Sequence, residues 1–354
     1  TEMAFSGNKS LKIDKILSYI NTDKKLNKFF FNEELGVVVE VPKKKKNMFE
    51  KACGKYINKS TLIHLGNSLS RKNQSIDIKS YHPISFALSD LRRSWSKLSY
   101  NIQCLRDNPK TALQEYRSKI DIHKSNTRPK FKYKSSVIRK VFKNRKPKVA
   151  IFREQGINGH KEMANAFINS GFECHDITTD NLSNSLSEFS GLIACGGFSY
   201  GDVLGAGRGW SQRILQNNQY RDALESFFCD TTKFALGICN GCQMLSHLTD
   251  LIPGSSLWPS FSQNKSRQFE ARLLRVMIKK SNSIFLRNMG DSILPLIVSH
   301  GEGKARFKNK KDVNSAIINY VDLTNKKTNS YPFNPNGSEE GATGFSNTDG
   351  RVTI

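Results

Sequence analysis

The stretch Phe234–Leu245, FALGICNGCQML, holds the residues best suited to chemistry. Cys239 stands between Gly237 and Gly241 in the pattern G-x-C-x-G. The apolar run Phe234–Leu236 before it reads as a buried strand. Gln243, Met244, Leu245 and Leu248 after it open an amphipathic helix. Strand, glycine-flanked nucleophile and helix together make a nucleophile elbow. Such a turn leaves the cysteine at the helix N-terminus, where the dipole and free N–H groups favour a thiolate. The backbone N–H of the next residue, Asn240, is placed to donate to an oxyanion. The chemistry implied is acyl transfer through a cysteine nucleophile.

Other readings of these residues are weaker. Flanking glycines and a polar Asn240 are poor neighbours for a structural core cysteine. Cys239 and Cys242 also form C-x-x-C, the spacing of redox pairs and of half a zinc site. No second C-x-x-C exists in the chain, which argues against zinc. The glycine placement suits an elbow better than a redox loop.

A second glycine turn lies upstream. Gly196–Gly197, in ACGGFSYGD, follows a buried strand over Gly191–Cys195. Glycine there lets a backbone N–H approach a ligand closely, so Gly197 is a candidate second oxyanion donor.

The elements that must position these turns alternate. Val149–Phe152 reads as a strand, Arg153–Gly159 as a polar glycine turn and His160–Ser170 as a helix. Phe172–Ile177 is the next strand, and helices follow near Trp210–Gln216 and Asp222–Phe228. This β-α alternation predicts a parallel, doubly wound sheet. Ligands in such sheets sit at the carboxyl ends of strands, where Glu154, Gly197 and Cys239 fall. Past Pro253 the pattern turns strand-like, at Ala271–Ile278, Leu294–Ser299, Ala316–Val321 and Gly350–Ile354.

Before Pro147 the chain differs. Phe30–Val41 ends in a predicted strand, Met48–Tyr56 in a short helix, and Thr61–Leu65 and Ser75–Ile78 are weaker strand candidates. Leu88, Leu91, Trp95, Leu98 and Ile102 recur at three- and four-residue spacing and predict that residues 84–116 are helical. Asn108–Lys146 loses that periodicity, gains Lys, Arg, Ser and Pro, and reads as a linker.

Length and composition bound the partners. The 354 residues suffice for two domains. No apolar run approaches the ~18 residues of a membrane helix. Seven cysteines, an odd number without framework spacing, suit a reducing, cytosolic setting. Thr1 is no initiator methionine, so the start reads as an internal cut. The net charge is +24, but residues 1–146 hold 33 Lys+Arg against 12 Asp+Glu, whereas 147–354 hold 22 against 19. The excess is mostly lysine, as at Lys43–Lys46, without the arginine and interleaved aromatics of nucleic-acid readers. A solvated lysine-rich surface is the expectation, with no nucleic-acid and no membrane partner.

These residues match a known pattern. G-I-C-N-G-C-Q with C-G-G-F-S-Y-G-D resembles the class I glutamine amidotransferases. More narrowly, REQGINGH-x-EMA (153–164), CGGFSYGDVLGAG-x-GW (195–210), ALGICNGCQM (235–244), SHGEG (299–303) and YPFNPNGS (331–338) resemble the glutaminase domain of phosphoribosylformylglycinamidine synthases of the large single-chain form. EMAFSGN (2–8), FNEELGVV (31–38) and LRDNP (105–109) are similar to the end of that family's second ATP-using half.

The resemblance implies a fold and three parts. Residues 1–92 would be the tail of an AIR-synthetase-like α/β domain, and 93–146 a helical segment and basic linker. Residues 147–354 would form a flavodoxin-like class I glutamine amidotransferase domain, truncated at its C-terminus. It also implies an ATP-dependent carbon–nitrogen ligase of purine synthesis. Glutamine would be hydrolysed at Cys239 through a thioester, with Gly197 and Asn240 as oxyanion donors. Gln243, Ser299 and His300 would hold the glutamine. Ammonia would pass to the rest of the synthase chain. ATP and magnesium would bind mostly outside this chain, with no cofactor or metal in the glutaminase domain.

Two departures stand out. Arg208 replaces an acidic residue of the family pattern. The second concerns the base that a cysteine nucleophile needs, with its orienting carboxylate. The family supplies both in a His-Pro-Glu segment just after a strand like Arg351–Ile354, and this chain stops at Ile354. Residues 1–354 alone are therefore expected to hydrolyse glutamine poorly. His300 with Glu302 offers the same H-x-E spacing and is the alternative base. His247 lies eight residues past Cys239 and is expected to point elsewhere. Rival readings are another cysteine hydrolase on the same fold, an inactive fragment and a basic nucleic-acid module.

Overall fold

The computed structural model describes residues 1–18, 22–58, 61–70, 74–80, 82–120, 128–133, 146–184 and 186–354. The chain divides into two compact units, one of residues 1–103 with 115–122 and one of 104–114 with 123–354.

The first unit is a small α/β assembly. Its elements are α1 (Glu2–Gly7), β1 (Ser10–Ile13), α2 (Asp23–Phe30), α3 (Lys46–Cys53), β2 (Asn67–Leu69), β3 (Ser75–Ile78) and β4 (Ile84–Ala87), with α4 (Leu88–Arg106) following. The strands make one sheet in the order β2-β1-β3-β4, and only the β1–β3 pair is parallel. Thr22 caps α2 by accepting the Lys25 N–H at 3.3 Å. Its cores are small: Ala4, Ile76 and Leu88 in one cluster, Ile16 and Leu26 in another.

Three expectations change here. Phe30–Val41 holds no strand: α2 ends at Phe30 and the rest is irregular, with Leu35 105% and Val37 89% exposed. Apolar alternation suits a strand, but among the described residues no neighbour pairs with it. Thr61–Leu65 likewise forms no strand; the pairing falls at Asn67–Leu69 instead. The linker predicted over Asn108–Lys146 begins with a helix, α5 (Pro109–Ile120). Asn108 Oδ1 accepts the Lys110 N–H at 3.0 Å, and proline sits at the first helical position, where its missing N–H costs nothing. Of the remainder, 121–127 and 134–145 lie outside the described residues, and Lys130 pairs with Ile293 through two backbone hydrogen bonds of 3.0 and 2.8 Å.

The second unit carries the predicted alternation. In chain order it runs β5 (Lys148–Arg153), α6 (His160–Asn169), β6 (Glu173–Thr178), β7 (Gly191–Ala194), α7 (Arg208–Leu215), α8 (Asn218–Cys229), β8 (Phe234–Gly237) and α9 (Asn240–Ser246). There follow β9 (Ser260–Ser262), β10 (Glu270–Ile278), β11 (Ile293–His300), β12 (Lys304–Arg306), β13 (Ile318–Val321), β14 (Ala342–Gly344) and β15 (Val352–Thr353). Five strands form one sheet in the order β15-β8-β7-β5-β6, and every neighbouring pair is parallel. Counted along the chain this is the flavodoxin-like order 2-1-3-4-5. Its central strands are apolar throughout, as strands covered on both faces must be. Val149, Ala150, Phe152, Leu192, Ile193 and Ala194 are fully buried among Trp210, Leu224 and Leu245.

A four-stranded antiparallel sheet, β11-β10-β13-β14, is inserted in sequence between β8 and β15, around Val276, Val298 and Tyr320. Its β10–β11 register sets Glu270 opposite His300 and Ala271 opposite Ser299. Among the described residues no helix is long and apolar enough to cross a membrane.

Candidate active site

The site lies where β7 and β8 end. Cys239 has φ 54° and ψ −113°, a conformation few non-glycine residues adopt, and it caps α9. Close packing keeps the corner that sharp. A β-carbon on Gly241 would stand 2.1 Å from the Ala194 carbonyl oxygen, and one on Gly237 would stand 2.8 Å from Leu245 Cδ1. The two glycines flanking the cysteine are thus required by space, not by dihedral freedom.

Gly197 needs glycine for both reasons. Its φ is 152°, and a β-carbon there would sit 2.6 Å from Ile157 Cα. The turn around it is laced to residues 155–159: Gly159 N–H donates to Gly196 O at 2.9 Å and Phe198 N–H to Gly156 O at 2.9 Å. The backbone N–H groups of Gly197 and Asn240 both face the Cys239 sulfur and act to lower its pKa. The two sequence-predicted donors and the nucleophile are therefore brought together.

The thiol itself donates to the Ser299 carbonyl oxygen at 3.6 Å. Burial pushes the Cys239 pKa up, the two N–H groups pull it down, and the Asp202 carboxylate raises it further. The net direction is upward. Burial is the largest of these causes and outweighs the two N–H groups. Among the described residues no imidazole or carboxylate hydrogen-bonds the sulfur.

Asn240 is fully buried and fixed from both ends of its amide. Ser199 donates to Oδ1 at 2.6 Å, and Nδ2 donates to Asp202 Oδ1 at 2.8 Å. Asp202 and Tyr200 both take positive φ, 54° and 52°, so the loop after β7 is bent tightly to reach the elbow. Burial raises the Asp202 pKa, against the Asn240 hydrogen bond. Behind the loop, Arg213 donates to Glu154 Oε2 at 2.7 Å and to Tyr200 Oη at 3.2 Å, and it pairs with Asp180. Glu154, at the end of β5, is therefore a brace and not a reacting group. Sequence reasoning missed Ser199, Asp202 and Arg213. The first two lie inside the stretch CGGFSYGD, but only the fold shows that they grip Asn240.

The other sequence-predicted residues fall on α9 and on the end of β11 with the loop after it. Gln243, buried on α9, donates its side-chain amide to the Glu302 carbonyl oxygen. Ser299 offers its backbone carbonyl to the thiol. The half-buried His300 ring packs on Gly303, where a β-carbon would stand 2.1 Å from its Cε1. Its Nδ1 has no partner, and burial lowers its pKa. The alternative His300–Glu302 dyad does not form: Glu302 Oε2 accepts the Ala206 N–H at 3.1 Å. Glu270, opposite in the strand register, is the acid that faces His300. His247 follows the last residue of α9; burial and nearby Arg208 lower its pKa, while Glu302 raises it.

A strained, glycine-flanked cysteine on a flavodoxin-like sheet, met by two backbone donors, defines a scaffold suited to cysteine acyl transfer. The chain belongs to the family of CobB/CobQ-like glutamine amidotransferase domains, whose model matches residues 146–354. Among solved structures it is similar to PurLQS from Thermotoga maritima, at 24% identity and TM-score 0.47 over 59% of this chain and 85% of that one. A glutamine amidotransferase from Thermotoga maritima matches at 21% identity and TM-score 0.35 over 59% and 74%.

Proposed function

We propose that residues 147–354 are the glutaminase of a phosphoribosylformylglycinamidine synthase, releasing ammonia from glutamine for an ATP-dependent ligase step of purine synthesis. In this reading 1–92 are the tail of the synthase domain and 93–146 the helical segment and basic linker. The observation that carries it is the convergence of the Gly197 and Asn240 N–H groups on the Cys239 sulfur. The motifs shared with that synthase family add the specific substrate.

Cys239 Sγ attacks the amide carbon of glutamine and forms a glutamyl thioester. The thiol proton must leave first, because the resting thiol is neutral and donates to Ser299 O. The carbonyl oxygen takes up negative charge as the bond forms. Two fixed N–H donors stabilise that charge at little reorganisation cost, worth about 3 kcal/mol per donor in related sites. The proton lost by the thiol ends on the departing nitrogen, so that ammonia leaves; water then cleaves the thioester, giving glutamate and returning a proton to the sulfur. Gln243, Ser299 and His300 line the side where the glutamine would lie. ATP and magnesium belong to the amide-activating half of the synthase.

The test is labelling by a chloroketone analogue of glutamine. It should modify Cys239 saturably, with glutamine protecting, and leave Cys239→Ala unmodified. In the whole synthase, Cys239→Ala should abolish glutamine-dependent synthesis and spare synthesis from added ammonia. Labelling without saturation or protection would point instead to a cysteine hydrolase with no glutamine site.

A further inference from the structure

We infer that Glu302 is a positioning residue that locks the glutamine side of the pocket to the oxyanion loop. The inference rests on the glutaminase reading above. Glu302 holds three segments at once. Its carboxylate Oε2 accepts the Ala206 N–H at 3.1 Å, in the turn that closes the loop after β7. Its backbone carbonyl accepts the side-chain amide of Gln243, on the nucleophile helix α9. Its own chain continues from Ser299, whose carbonyl touches the thiol.

The ring of contacts closes through Asp202. Asp202 faces the N–H of Gly207, next to the N–H that Glu302 accepts, and it holds the Asn240 amide at 2.8 Å. Two carboxylates thus meet neighbouring residues of one turn. One of them reaches the oxyanion donor Asn240, and the other reaches the glutamine loop. The turn is pressed on α9, for a β-carbon on Gly207 would stand 2.4 Å from Met244 N. The rest of the glutamine loop is tied to other segments. Asn264 accepts the Gly303 N–H at 2.9 Å, donates its backbone N–H to Gly301 O at 2.9 Å and its side-chain amide to His300 O at 2.8 Å, and Asn336 donates to Gly303 O at 2.7 Å. Removing the Glu302 carboxylate therefore frees the loop from the oxyanion turn without undoing the fold. The consequence falls on the fit of glutamine, not on the intrinsic reactivity of the thiol.

The experiment compares two reagents on the purified chain, read at Cys239 by mass spectrometry. The glutamine chloroketone needs the pocket; iodoacetamide needs only the sulfur. In Glu302→Ala the chloroketone should label more slowly by about tenfold to a hundredfold, the loss expected for one buried charged hydrogen bond. Iodoacetamide should change by less than about threefold, as should both reagents on Glu302→Gln, which keeps an acceptor at the same reach. Glu302→Asp, one methylene short, should resemble the alanine variant. Chloroketone rates unchanged in both the alanine and aspartate variants would overturn the inference, as would equal slowing of both reagents. If the alanine variant fails to fold by circular dichroism, the Gln–Asp pair decides: equal chloroketone rates refute the role. Wild-type chain labelled by iodoacetamide but not by the chloroketone would refute the glutamine reading itself, and this inference with it.

Discussion

Two apolar runs in this chain look alike and behave differently. Phe234–Gly237 is a four-residue strand gripped on both sides, by β7 in one direction and β15 in the other. The run through Leu35, Val37, Val38 and Val39 in the first unit is just as apolar, yet it forms no strand and stands in solvent. The difference is partners. A β-strand satisfies its backbone through neighbours, so apolar sequence states a demand for cover that other segments must meet. In the second unit the cover is present and the strand end can aim a nucleophile. In the first, the side chains of Phe31, Leu35, Val37, Val38 and Val39 are half-exposed or more.

That contrast predicts its own largest break. Leu192→Ala, in fully buried β7, should cost about 2–5 kcal/mol of stability. Val37→Ala should fall within about 0.5 kcal/mol. Denaturant melts followed through the buried Trp210 and Trp258 read the first; circular dichroism reads the second. A cost above about 1 kcal/mol at Val37 would mean that the run is covered after all.

A second pair tests the same idea through backbone space. Gly241→Ala places a β-carbon 2.1 Å from the Ala194 carbonyl oxygen and should cost about 1–3 kcal/mol. Gly36→Ala meets nothing within 4 Å and should be neutral within about 0.5 kcal/mol. Equal effects in the two melts would show that the elbow tolerates displacement from β7. The Gly241 variant should also label more slowly at Cys239, since the elbow would shift against Gly197.

Legibility followed the same line. The parallel sheet was readable because buried strands such as Val149–Phe152 and Gly191–Ala194 alternate with helices of clear periodicity. The elbow was readable because G-x-C-x-G asks for a corner with no room for β-carbons, which Gly237 and Gly241 confirm. The grip of Ser199 and Asp202 on Asn240, and of Glu302 on Ala206, was not readable. Those contacts join residues 41, 38 and 96 positions apart, and only tertiary structure sets such distances. The burial around the thiol was not readable for a related reason. A sequence displays a helix N-terminus but not the burial that opposes it. The break between α4 and α5 at Asp107–Asn108, and the run of α5 past residue 116, were missed because a lysine-rich composition masked the Asn108–Pro109 start signal.

The half-buried thiol makes a third prediction. Its pKa lies above the ordinary thiol value, so the thiolate fraction at neutral pH is small. Iodoacetamide labelling of Cys239 should therefore be slow at pH 7 and climb through and beyond the range where free cysteine titrates. A Cys239 profile that levels off at or below the range of free cysteine in solution would contradict the dominance of burial.

The smallest expected effect isolates one charge. Asp202 raises the Cys239 pKa by its negative charge while supporting Asn240 through one oxygen. Asp202→Asn keeps that oxygen as an acceptor and removes the charge. The thiolate then has one fewer repelling neighbour, so its pKa should fall and its labelling at pH 8 should quicken, by about twofold to threefold. Asp90→Asn, exposed in the first unit, removes the same charge from the same chain and should change nothing. The two variants share any effect of net charge, so the difference between them is local. Slower labelling in Asp202→Asn would mean that the amide no longer holds Asn240, and that the carboxylate matters as an acceptor more than as a charge. Equal rates in the two variants would remove Asp202 from the electrostatics of the sulfur.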